Sequence, residues 1–208
     1  MTTVLVMAKA PVPGRVKTRL SPPCTPDQAA ALAAAALADT LAAVEGSTCD
    51  RRVLALDGHP DSWVPRGWEV VPQVAGGLGD RLDGAVVATD GPTLVLGMDT
   101  PQVTSRLLDD VWSTLLAPGV DAVLGPARDG GYWTIGVRTP RAGLFDGVEM
   151  STADTGRQQR ARLDALGLTV ATLADLRDVD THADAVAVAA ECPRSQFAAE
   201  LARLAIAA

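Results

Sequence analysis

The chain has 208 residues, of which 48% are hydrophobic and 21% charged, ordinary proportions for a globular protein long enough to bury one large core. Its net charge of -7 argues against a general binder of nucleic acid or anionic membrane, and its longest unbroken apolar stretch, mostly alanine, is far short of a bilayer span. Cys24, Cys49 and Cys192 are an odd, widely spaced set with no CxxC; with no basic segment ahead of the first apolar run, they lead us to expect one cytoplasmic domain over residues 1–208, free of disulfides and zinc.

Residues 2–8 form a β-branched and apolar run, predicted to be a buried first strand. It enters a loop in which Pro11, Pro13 and Gly14 forbid regular structure. Thr25 and Pro26 then supply an N-cap and a first helical position for an alanine-rich helix reaching residue 44. Strands are expected over 52–56 and 68–71, a helix over 79–89, and a continuous apolar strand over 93–98. A helix over 105–116, strands over 122–124 and 132–137, a helix over 151–166 and a strand over 169–172 follow. Two helices, 183–190 and 193–207, close the chain. Strands without polar alternation, separated by helices, predict an α/β fold whose sheet is covered on both faces.

Charge is unevenly placed. Residues 1–26 hold Lys9, Arg15, Lys17 and Arg19 and no acid, while the rest of the chain has 14 basic and 25 acidic groups. Lysine occurs only at positions 9 and 17, in a chain otherwise rich in arginine and alanine and devoid of asparagine. An ammonium and a guanidinium are not interchangeable, so two lysines confined to one loop point to a site. That loop follows the first strand, where sheets of this type bind ligands. Its glycine and cations suit a phosphate, although neither GxxxxGK[ST] nor GxGxxG is present.

Asp99 follows the apolar strand at the same expected sheet edge, either as a ligand of a hard cation or as a turn residue before Pro101. Asp180, in residues 177–181, is either a second such ligand or an ordinary helix cap. Asp129-Gly130-Gly131-Tyr132 suits close approach of a ligand or a simple hairpin. His59 and His182 have no triad around them, Cys24 is incidental, and Trp63, Trp68 and Trp112 are expected to be packing or surface-edge residues and not a stacking platform.

Taken in order, Lys9-x-Pro-x-x-Gly-x-x-Lys-Thr-Arg-Leu, Gln73-x-x-Gly-x-Leu-Gly-Asp-Arg-Leu, Gly97-x-Asp-x-Pro, Asp129-Gly-Gly-Tyr, Ser151-Thr152 and Asp178-Val-Asp-Thr resemble the motifs of a bacterial glycosyltransferase family of the arsenosugar-biosynthesis type. That family lies in the nucleotide-diphospho-sugar transferase superfamily and is similar to 2-phospho-L-lactate guanylyltransferase. The resemblance spans nearly the whole chain and implies a GT-A, Rossmann-like three-layer sandwich with a mostly parallel central sheet. It also implies a Mg²⁺ or Mn²⁺ ion held by Asp99 and Asp180. Ala8, Lys9, Gly14, Arg15, Lys17, Arg19, Gln73 and Gly79 would bind the nucleotide, with Arg15 and Lys17 on its diphosphate. Asp129, Gly130, Gly131, Tyr132, Ser151 and Thr152 would meet the sugar or acceptor, and Lys17, Asp99 and Asp129 would carry the catalysis. Met150 stands where the family usually has Trp, so the acceptor wall departs from the pattern. The implied activity is transfer from a nucleotide sugar to a small-molecule acceptor. The alternatives are nucleotidyl transfer from an NTP to a phosphorylated acceptor, or nucleotide binding without catalysis.

Overall fold

A computed structural model describes residues 1–204; the final residues of the last expected helix, 205–207, lie outside that range. Seven strands form one sheet: β1 (Thr3–Lys9), β2 (Arg51–Asp57), β3 (Glu69–Pro72), β4 (Thr93–Leu96), β5 (Ala122–Pro126), β6 (Tyr132–Val137) and β7 (Val170–Thr172). Their order is β3-β2-β1-β4-β6-β5-β7. Only β6 runs antiparallel, against both β4 and β5, so six strands present their carboxyl ends at one edge. Six α-helices lie among the described residues: α1 (Pro26–Glu45), α2 (Leu78–Val87), α3 (Ser105–Leu115), α4 (Thr155–Ala165), α5 (His182–Glu191) and α6 (Gln196–Arg203). This is the expected α/β sandwich.

The absence of alternation in β1 has a simple cause. Val4, Val6 and Ala8 face one core with α1 and α3, while Leu5 and Met7 face a second core with α2 and α4. A strand covered on both faces needs apolar residues at every position. Helix α1 is buried twice as well. Ala30, Ala33, Leu37 and Leu41 meet the sheet, whereas Ala29, Leu32 and Ala36 meet α5 and α6 through Ala185, Val188 and Phe197. Alanine suits a helix held between two layers, because its small side chain lets both approach.

The length and hydropathy of α1 correct one expectation, that the chain's longest apolar stretch falls far short of a bilayer span. Over 20 residues and with a mean hydropathy of 1.2, α1 has the length and composition of a bilayer span, though it packs here between two layers of protein. Asp39 and Thr40 interrupt its unbroken apolar run without lowering the average much. The N-cap reading holds in detail: Thr25 accepts from Gln28 N, and Gln28 accepts in return from Thr25 N, a reciprocal capping box.

The start of α4 differs from expectation by four residues. Thr155 Oγ1 donates to Glu149 O at 2.8 Å and accepts from Thr152 N at 3.0 Å, so residues 151–154 form a turn instead of helix. Short hydroxyl side chains offer the backbone this competing partner. Ser151 takes a left-handed conformation (φ 63°). All three cysteines are free. Trp68 and Trp112 are buried in the core and Trp63 packs against it, as expected of packing residues.

Candidate functional site

A cleft of about 530 Å³ opens along the carboxyl edge of the sheet. The loop after β1 brings Lys9, Arg15, Lys17 and Arg19 to it, the loop after β3 brings Gln73, and the loop after β4 brings Asp99. Asp129, Gly131 and Tyr132 enter from the β5–β6 hairpin, Ser151 and Thr152 from the turn before α4, and Asp178 and Asp180 from the segment after β7. Most of the residues singled out in the sequence therefore meet in one place.

Three do not line this cleft. Gly14 occupies a left-handed turn (φ 75°) with open space around it. Gly79 lies in the first turn of α2 and faces a neighbouring hollow beside Phe145 and Met150. Gly130 (φ 95°) is pressed against the turn before α4, where a Cβ would stand 2.0 Å from Ala153 O. The Asp-Gly-Gly sequence is thus a hairpin whose first glycine seats a second loop, and whose second glycine reaches the cleft.

Lys17 is the junction of the site. It has a left-handed backbone (φ 48°), a conformation that costs a non-glycine residue about 1 kcal/mol. Its side chain is only 9% exposed, and its Nζ lies 2.8 Å from Asp99 Oδ1 and 3.6 Å from Asp180 Oδ1 while donating to Val179 O. The two expected metal ligands are therefore joined through an ammonium ion. Arg19 is mostly exposed and reaches Asp180 Oδ2 at 2.9 Å. Lys9 and Arg15, by contrast, form no ion pair among the described residues and stand exposed on the rim. Asp180 is not a helix cap, because Thr181 caps α5 by accepting from Asp184 N.

One of the site's carboxylates escaped the sequence assignment. Asp129, Asp178 and Asp180 bring carboxylate oxygens within 4.8 Å of one another, and Asp99 is outside that group. Val179 is buried in the α1–α5–α6 core, and its N donates to Asp99 O at 2.9 Å. An extended Asp-x-Asp segment with its middle residue inward turns both acids the other way, toward the cleft. That period of two was the available signal for Asp178.

Burial raises the Asp178 carboxyl from its ordinary value of 3.8 to about 6, aided by the charges of Asp129 and Asp180 and opposed by Lys17. A raised acid pKa removes stability as pH rises: nothing is lost below about 4, and the full cost is present above about 6. Asp178→Asn should therefore stabilise the metal-free protein by about 1 kcal/mol at pH 7, after discounting for partial exposure, and not at pH 4. Urea unfolding of both proteins at the two pH values checks this. Three hard oxygen ligands, repelling one another when empty, suit Mg²⁺ or Mn²⁺.

On the acceptor side, Tyr132 is partly buried, and desolvation of its phenol pushes the pKa above the usual range and keeps it neutral. Its hydroxyl lies 3.4 Å from Gln159 Oε1 and 3.9 Å from Met150 Sδ.

A search of curated proteins found no match. Among solved structures, a Desulfovibrio desulfuricans G20 protein assigned as a nucleotide-diphospho-sugar transferase is similar at 27% identity and TM-score 0.86, over 97% of this chain and 94% of that one. CMP:2-keto-3-deoxy-manno-octonic acid synthetase complexed with CTP shares the fold at 12% identity and TM-score 0.60, covering 93% and 98%. Rv0371C of Mycobacterium tuberculosis H37Rv, solved with manganese, does so at 22% identity and TM-score 0.52, covering 90% and 96%. The nucleotide-diphospho-sugar transferase fold implied by the motifs is thus the fold observed. Residues 28–152, more than half of the chain, match the model of a family described as "Uncharacterized protein conserved in bacteria". The chain belongs to that bacterial family, DUF2064.

Proposed function

We propose that the chain is a Mg²⁺- or Mn²⁺-dependent transferase whose donor is a nucleotide-diphospho-sugar and whose acceptor is a small molecule. The observation that carries this reading is the meeting of a cationic loop with three carboxylates around one cleft at the carboxyl edge of the sheet. Cations alone would suit any anion, and carboxylates alone any cation. Together they suit a diphosphate bound with a divalent ion. The Desulfovibrio protein, similar over nearly the full length of both chains, supports the same class.

In this reading Lys9 and Arg15, rim cations that form no ion pair among the described residues, take the phosphates with the backbone at Ala8. Asp129, Asp178 and Asp180 hold the ion. When bound, a divalent ion draws off the negative charge that develops on the leaving diphosphate. Lys17 sets its positive charge between Asp99 and Asp180 and beside the same phosphates. Gly131, Tyr132, Ser151 and Thr152 orient the sugar and acceptor, and Asp129, in the same hairpin as Gly131 and Tyr132, would serve both the ion and that side.

Thermal unfolding with UDP-sugars, GDP-sugars and NTPs, each with Mn²⁺ or with EDTA, tests the reading. A nucleotide sugar at 100 times its Kd should add about 2.7 kcal/mol of stability with Mn²⁺. Incubation with an acceptor should then release a nucleoside diphosphate. Pyrophosphate released from an NTP would make the chain a nucleotidyltransferase, and binding without turnover of any donor would make it a nucleotide-binding protein.

A further inference from the structure

Gly79 belongs to a motif singled out in the sequence, yet it lies outside the cleft and the fold does not require a glycine there. Gly76 (φ 120°), just before α2, and Gly147 (φ 72°), which lines the same hollow, hold left-handed conformations that favour glycine. Gly79 does not. It is helical, and a Cβ there would meet nothing nearer than Met150 Cε and Phe145 O, both at 3.7 Å, an ordinary contact distance. Alanine is the better helix former, so glycine at this position forgoes stability and keeps space open.

That space is a hollow of about 730 Å³ beside the cleft. Leu78 and Met150 line both, so the two spaces adjoin across a pair of flexible aliphatic side chains. Met150 Sδ also lies 3.9 Å from the Tyr132 hydroxyl, on the acceptor side. Methionine is unbranched, with three rotatable bonds, and adapts to what lies against it. Phe145 and Val148 continue the apolar wall, and Asp80, Asp83 and Asp146 stand along it. Arg162 lies 3.4 Å from Asp146 Oδ2. Among the described residues, Asp80 and Asp83 form no ion pair, and no lysine, arginine or histidine lines the hollow. The N–H groups that open α2 do not offset this charge, because Asp80 already accepts from Gly77 N at 2.8 Å.

The acceptor side of the cleft has the same character: Tyr132, Ser151 and Thr152 offer hydroxyls, Asp129 a carboxylate, and none of them a cation. Lys9, Arg15, Lys17 and Arg19 all enter on the loop after β1, where the donor's phosphates would lie. An anionic acceptor would meet no counter-charge on its own side. We propose that the acceptor is an alcohol with an apolar stem and no phosphate or carboxylate, whose far end passes between Leu78 and Met150 into the hollow kept open by Gly79. This rests on reading the cleft as a donor nucleotide site, and it excludes the phosphorylated acceptor of the nucleotidyl-transfer alternative.

Protein NMR titration in Mn²⁺ with 6-amino-1-hexanol, 1,6-hexanediol and 6-hydroxyhexanoate tests the inference, since the three differ only at one end. 6-Amino-1-hexanol should bind the wild type at least about 3-fold more tightly than 6-hydroxyhexanoate, with the diol between, the discrimination that a few exposed carboxylates give. Gly79→Leu, which fills the hollow, should weaken the amino alcohol by at least about 10-fold and leave UDP and GDP affinities within about two-fold of the wild type. Gly79→Ala should raise the unfolding midpoint by about 1–4 °C while weakening the same probe. That variant and the wild-type ranking decide the matter if Gly79→Leu does not fold. Binding of none of the three probes, a 6-hydroxyhexanoate affinity equal to or above that of the amino alcohol, or probe affinity unchanged in both variants would each overturn the inference. So would loss of UDP and GDP binding in a folded Gly79→Leu, which would place Gly79 in the nucleotide site. Gly79-dependent probe binding in a protein that binds neither UDP nor GDP would instead overturn the donor reading and leave the hollow a ligand site.

Discussion

Asp180→Asn should lower Mn²⁺ affinity by at least about 100-fold while changing the unfolding free energy by no more than about 1 kcal/mol. Asp180 is the carboxylate that the rest of the site shares. It belongs to the three-acid group with Asp129 and Asp178, lies 3.6 Å from Lys17 Nζ, and accepts from Arg19 at 2.9 Å. Asparagine keeps the shape but withdraws one of three anionic ligands, and two remaining carboxylates attract a divalent ion far less. The stability effect is small because two changes oppose each other: Lys17 and Arg19 lose a partner, and Asp178 loses a neighbour that helps to push its pKa up. Helix α5 keeps its cap, since Thr181 supplies it. Asp99→Asn should cost less metal affinity, because Asp99 is engaged by Lys17 and lies outside the three-acid group. Calorimetric Mn²⁺ titration with chemical unfolding of both variants checks the ranking. Equal Mn²⁺ affinity in wild type and Asp180→Asn would return Asp180 to a purely structural role.

Lys17→Met is expected to act on binding and on folding together. Nucleoside diphosphate affinity should fall by roughly 10- to 100-fold, the worth of one or two charge-assisted hydrogen bonds. Stability should fall by about 1–2 kcal/mol, because Asp99, Asp180 and Val179 O lose their shared cation in a part-buried setting. On the sequence alone Lys17 reads as a loop lysine of no consequence for folding. The structure changes that expectation, since its ammonium is nearly buried and links residues up to 162 positions apart. Arg15→Ala gives the contrast: Arg15 is exposed and unpaired among the described residues, so it should weaken nucleotide binding with no measurable loss of stability. Lys17→Arg should not rescue the lysine, because a planar fork cannot converge on three oxygens as a compact ammonium does.

What could be read from the chain was local. The Thr25-Pro26 start of α1, the span of β6 and the apolar β1 and β4 follow from capping chemistry, period and burial, each written within a few adjacent residues. The gathering of the site was also legible, because residues after the carboxyl ends of parallel strands share one edge whatever their spacing. Pairing across the site was not. Nothing near Lys17 specifies that it meets Asp99 and Asp180, and nothing near Asp129 specifies Asp178. The antiparallel insertion of β6 between β4 and β5 likewise depends on pairing between distant segments. The bracing of Gln73 was hidden for the same reason: the motif shows Gln73 and Arg81, but only the fold shows that the Gln73 amide is consumed by the carbonyls of Ala8 and Ala55 and by the Arg81 guanidinium.

The most direct test of the metal-dependent nucleotide site is the affinity of a nucleoside diphosphate measured by calorimetry in Mn²⁺ and again in EDTA, on the wild-type protein and on Asp180→Asn. Binding should be at least about 10-fold tighter with Mn²⁺ for the wild type, with no such difference for the variant. Equal affinity in Mn²⁺ and EDTA for the wild type, or an undiminished Mn²⁺ effect in Asp180→Asn, would contradict it.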